Sequence, residues 1–118
     1  MGATNPTYSP TERLPLEITV DIPAFAFVTH LGSLCLAGKQ AAGITDVAAK
    51  AGEKLGVITA QTALLKIKEE LAKGDLIVSN DASFGVKAAT TGDFVNAIAL
   101  MSGISDDVIE VELAKFKL

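Results

Sequence analysis

Turn signals at short intervals constrain this chain more than any other feature. Ala51-Gly52-Glu53, Lys73-Gly74-Asp75, Ser79-Asn80-Asp81, Thr91-Gly92-Asp93 and Ser105-Asp106-Asp107 each place Gly, Asn or Asp where a backbone reverses. Between and before them lie short apolar or alternating runs: Leu16–Val20, Phe25–Thr29, Leu34–Ala37, Leu55–Thr59, Leu76–Val78, Phe94–Leu100 and Val108–Leu113. The last is the clearest, with Ile109, Val111 and Leu113 on one face and Glu110 and Glu112 on the other. Many short strands separated by Gly and Asp predict a mainly β protein, a small antiparallel barrel or sandwich with at most one or two short helices.

Two segments carry a helical signal. Asp46–Ala51 is Ala-rich and predicts a helical turn capped by Thr45 or Asp46. In Thr62–Lys73, Leu64, Ile67 and Leu71 recur at helical spacing ahead of Gly74, yet Leu65-Lys66-Ile67-Lys68 also alternates as a strand. Periodicity does not separate the two; the expectation is strand over 62–68 and a turn or helical turn over 69–73.

Three of the four prolines (Pro6, Pro10 and Pro15) fall in the first fifteen residues. Proline removes backbone donors and favours extended geometry, so residues 1–15 are expected to form an arm outside a single β domain spanning 16–118. Within the arm, Tyr8, Pro10, Arg13 and Leu14 are the candidate contacts to another subunit, because Tyr and Arg are frequent interface anchors and proline lowers the entropy lost on ordering. A passive tail is the alternative.

A chain of 118 residues is one domain, large enough to bury roughly two-thirds of its unfolded surface. At 49% hydrophobic and 20% charged it is too apolar for a disordered chain. No run approaches the twenty apolar residues of a membrane span, and the start lacks the layout of a signal peptide, so a soluble protein without membrane contact is expected. The net charge of −4 and the absence of a basic cluster argue against nucleic acid as a partner. One cysteine, Cys35, and one histidine, His30, cannot build a zinc site or an internal disulfide. Cys35 between two leucines reads as a small buried hydrophobe, and His30 has no nucleophile in a triad arrangement. Asp106, Asp107, Glu110 and Glu112 lack calcium-loop spacing and read as a solvated strand face. No glycine pattern forms a phosphate loop. The expectation is a protein that is not an enzyme and holds no metal or cofactor.

The order of the turns carries a family resemblance. From Gly43 the chain reads GITDVAAKAGEKLGVIT, then KIK, then LAKGDLIVSNDASFGVKAA, and it closes with VNAIALMSGISDDVIEVEL. Over roughly residues 20–113 this resembles the small head-decoration, or capsid cement, proteins of tailed bacteriophages. Gly52-Glu53 matches that family's Ala-Gly-Glu turn, and Gly74-Asp75 the Gly-Asp that opens a central strand. Asp81-Ala82 with Gly85 fits its hairpin, and Ile98-Ala99-Leu100 its penultimate strand. Ala97 and Ala60-Gln61 stand where the family usually carries Gly. The resemblance implies a structural virion protein, made in the host cytoplasm, that binds the major capsid protein on the outer capsid surface and stabilises the shell. It further implies self-association as a homotrimer and no cofactor. A β module of a head fibre or tail adhesin, binding a cell-surface ligand, is the alternative reading.

Overall fold

The computed structural model describes residues 13–118. It contains nine strands: β1 (Arg13–Glu17), β2 (Phe27–Val28), β3 (Gly43–Ile44), β4 (Lys54–Ile58), β5 (Thr62–Lys66), β6 (Leu76–Ser79), β7 (Gly85–Lys87), β8 (Phe94–Ala99) and β9 (Val108–Lys117). All pairings between these strands are antiparallel. They form a four-stranded sheet in the order β1-β4-β3-β2 and a five-stranded sheet in the order β5-β9-β8-β6-β7. Among the described residues there is no helix.

The two sheets share one core. Phe27, Ile44 and Ile58 of the four-stranded sheet pack with Leu65, Ile77, Ala97, Ile109 and Val111 of the five-stranded sheet. Alternation along the strands sends the neighbouring residues to the opposite face of the four-stranded sheet. There Val28, Val57, Leu16 and Leu55 meet Ile18, Ile22, Ala49 and Leu34 in a second apolar cluster. The small sheet is therefore buried on both faces. At one point the five-stranded sheet curls back on itself: Lys68 N–H donates to the Gly85 carbonyl at 2.9 Å, beside a parallel bridge between Ile67 and Gly85. One bridge does not close a barrel, and the architecture is a compact sandwich.

The expected turns recur as a common unit. Bend, bridge and turn precede a strand at 46–54, 68–76 and 100–108. In each turn the N–H of the fourth residue donates to the carbonyl of the first (Glu53 to Lys50, Asp75 to Ala72, Asp107 to Ile104, all 3.0 Å). The acidic side chain of that fourth residue accepts in return from the first residue's N–H, at 2.8, 2.8 and 3.0 Å. The third residue has positive φ: Gly52 at 92°, Gly74 at 92° and Asp106 at 76°. Three acidic residues are thus spent as backbone caps at the start of β4, β6 and β9.

Several expectations are corrected. The 46–51 segment is not helical, because Ala49 spends its N–H and C=O on an antiparallel bridge to Ile22. Residues 69–73 are not a helical turn either; Leu71 bridges Gly103 in the same way. The strand expected over 62–68 is present as β5 over Thr62–Lys66, with Ile67 following in its bridge to Gly85. The Leu34–Ala37 run contributes only the bridge of Leu34 to Val28. The first strand begins and ends three residues early: Arg13, Leu14 and Pro15, assigned to the arm, lie in β1 opposite Ile58, Val57 and Gly56. β1 is an edge strand, which tolerates the missing N–H of Pro15.

Candidate functional site

No catalytic constellation forms among the described residues. His30 is exposed in the turn between β2 and Leu34. Cys35 is fully buried, its thiol donates to the Lys39 carbonyl at 3.3 Å, and burial pushes its pKa up. A neutral, enclosed thiol is a poor nucleophile. No group of three potential metal ligands occurs among the described residues. The four acids near the C-terminus separate: Asp106 pairs with Lys68, Asp107 caps its turn, and Glu110 and Glu112 face solvent. Lys68 holds the Asp106 carboxyl below its ordinary range.

The four buried polar side chains among the described residues hold loops. Ser83 Oγ accepts from Cys35 N–H at 2.6 Å, and Ser79 Oγ lies 2.8 Å from the Cys35 carbonyl. Thr45 Oγ1 donates to the Pro23 carbonyl at 2.7 Å and accepts from Ala26 N–H at 3.2 Å. Asn96 sits at a β-bulge where β9 carries one extra residue against β8. Its Oδ1 accepts from Ala41 N–H and its Nδ2 donates to the Lys39 carbonyl, both at 3.0 Å. Gly38 fills the space where β6 and β8 diverge, donating to the Ser79 carbonyl and accepting from Phe94 N–H. Each buried polar group satisfies backbone that no strand pairs, which is a structural task.

The candidate contacts read from the sequence fare differently. Tyr8 and Pro10 lie outside the described residues. Arg13 donates to Asp46 at 2.9 Å and to the Gly56 carbonyl at 3.1 Å, so its guanidinium already has partners within the chain. The pair raises the pKa of Arg13 and lowers that of Asp46. Leu14 is half-buried opposite Val57.

What remains is surface. A groove of about 570 Å³ runs between Asp21–Pro23 and Ala48–Lys50, and one of about 300 Å³ lies beside Glu70–Ala72. They fall at equivalent positions of the first two turn units, so they follow from the repeated backbone shape. A third groove, about 270 Å³, lies between the sheets at the β5 edge, lined by Phe25, Asp46, Ile58 and Thr62–Leu64 with Glu110. It opens onto the solvent face of the five-stranded sheet. On that face the registers align Thr62, Glu112, Ile98 and Leu76 in one row across β5, β9, β8 and β6. The next row holds Leu64 and Glu110, with Leu100 N–H donating to the Glu110 carbonyl at 3.0 Å; Lys66 and Val108 follow. The outward direction of Glu110 and Glu112 was legible in the sequence. The aliphatic residues around them were not, because strand order decides which side chains share a row. The alternation of β5 was the one signal that could have placed Leu64 there.

The sequence matches no protein-family model and no curated protein. In three dimensions the chain is similar to the crystal structure of the N base of head fibre gp8.5 from bacteriophage phi29. The TM-score is 0.72 at 8% identity, and the match covers 90% of this chain and 96% of that one. What the two share, over almost the whole of both, is the fold.

Proposed function

We propose that this chain is a structural protein of a bacteriophage virion that sits on the outer surface of the capsid and reinforces it as a decoration protein. The observation that carries this reading is the fold held in common with a phage head-fibre base over nearly its full length. The turn-by-turn resemblance to capsid cement proteins supports it from the sequence side. The interior agrees: its buried polar groups are spent on holding loops, as a scaffold requires. A head-fibre base is the second reading, favoured by the neighbour's own role and by the base-sized extent of the match. Both readings put the chain on the head with coat protein as partner; the decoration reading adds self-association as a trimer, which would multiply weak contacts through symmetry.

Mixing the purified protein with capsids of the phage that encodes it tests the proposal. The protein is expected to sediment with the capsids. A decoration protein also raises their melting temperature, since it binds the assembled shell and not its separated subunits. Co-sedimentation with an unchanged melting temperature overturns the reinforcing role. Protein left entirely in the supernatant overturns both.

A further inference from the structure

We propose that the solvent face of the five-stranded sheet is a docking surface for a basic, aliphatic-rich protein segment. On the virion reading above, on which this identification rests, that segment belongs to the coat protein.

A sheet face that meets only water alternates polar side chains, and charges on it usually find opposite charges across the strands. This face does neither. Five aliphatic residues, Leu64, Leu76, Ile98, Leu100 and Val108, lie on it, with Leu64 47% and Val108 40% exposed. Glu112 stands between Thr62 and Ile98, and Glu110 between Leu64 and Leu100. Neither glutamate has a hydrogen bond or ion pair from its carboxylate among the described residues. The nearest lysine by register, Lys66, lies with its amine 5.4 Å from the centre of the Phe84 ring.

Two unneutralised carboxylates two residues apart on one strand are separated by roughly 7 Å. An apolar partner carrying cations at that spacing, such as Lys or Arg at alternate positions of an extended segment, would cover the aliphatic band and meet both charges. The groove at the β5 edge continues the surface and adds Phe25 and Ile58 to its apolar lining. A second copy docked by the same face would bring the glutamates of one copy onto those of the other, which charge disfavours. A nucleic acid would meet the same repulsion.

The test uses a ten-residue peptide alternating Lys with Val, against the same peptide with Glu in place of Lys, followed by amide chemical shifts of the full chain. The Lys peptide is expected to shift residues 62–66, 98–100 and 108–112, and the Glu peptide to leave them in place. The double variant Glu110→Lys/Glu112→Lys is expected to weaken binding at least about tenfold. The double variant Glu17→Lys/Glu70→Lys, which makes the same change in net charge elsewhere, is expected to bind as the parent does. Shifts elsewhere, no binding of the Lys peptide, or equal weakening by both variants would overturn the proposal. Self-association through this face, read by sedimentation, would overturn it too. In capsid sedimentation the two levels separate. Parent protein that pellets while the Glu110/Glu112 variant does not supports both. Parent and variant pelleting alike refutes the docking surface alone. If neither pellets, the virion reading fails, and the peptide result still decides the surface chemistry.

Discussion

At the residue scale, two glycines are required for different reasons that can be tested separately. Gly74 has φ of 92° and nothing within 4 Å of where a Cβ would sit, so its requirement is conformational. Gly74→Ala is expected to cost about 1–2 kcal/mol in urea unfolding, the cost of a left-handed L-residue. Gly43 has an ordinary φ, but an added Cβ would lie 2.2 Å from the Ile58 carbonyl oxygen. Gly43→Ala must push two paired strands apart and is expected to cost more than Gly74→Ala; the reverse order would refute this division. The Gly and Asp turns were legible in the sequence because positive φ selects such residues. Gln61, at φ 66°, was not, since its side chain gives no such signal. It occupies a position where the resembling family often carries Gly.

The Arg13–Asp46 pair gives a pH signature. Arg13 depresses the Asp46 pKa in the folded state, so the pair contributes stability above the unfolded carboxylate value and loses it as pH falls through the folded one. Both side chains are more than a third exposed, so Asp46→Asn is expected to cost only about 0.2–1 kcal/mol near pH 7. The difference from the parent should shrink below about pH 4 and vanish in stronger acid. A difference that grows on acidification would contradict the assignment.

At the element scale, β4, β6, β8 and β9 were legible from their apolar runs and flanking turns, with boundaries within a few residues, whereas β5 carried both a helical and a strand period. β3 was not, because two residues, Gly43 and Ile44, carry no periodicity. The Ala-rich 46–51 segment had the composition of a helix, and tertiary pairing with Ile22 overrode that propensity. Nor could the sequence show that Asn96 stands at a bulge and ties the 39–41 segment to β8. Asn96→Ala is expected to cost about 2 kcal/mol, since it strands the Ala41 N–H and the Lys39 carbonyl. Hydrogen exchange is expected to show the loss of protection centred on Ala41, with the β5–β9 pairing retained. Uniform loss of protection would show that the bulge holds the whole fold together.

At the scale of the whole molecule, the sequence conveyed a mainly β scaffold and a phage resemblance, and the structure supplied the arrangement of strands that creates its surfaces. Both sheets and both apolar clusters are complete among the described residues from Arg13 onward, so removal of residues 1–12 is expected to leave the far-UV circular dichroism spectrum and the cooperative unfolding transition intact. Collapse of that transition would make the segment part of the fold. Where the molecule sits is tested by electron cryo-microscopy of capsids saturated with the protein. Ordered density of this two-sheet fold is expected on the outer surface, repeated with the symmetry of the shell. Capsids bare of such density after saturation would contradict it.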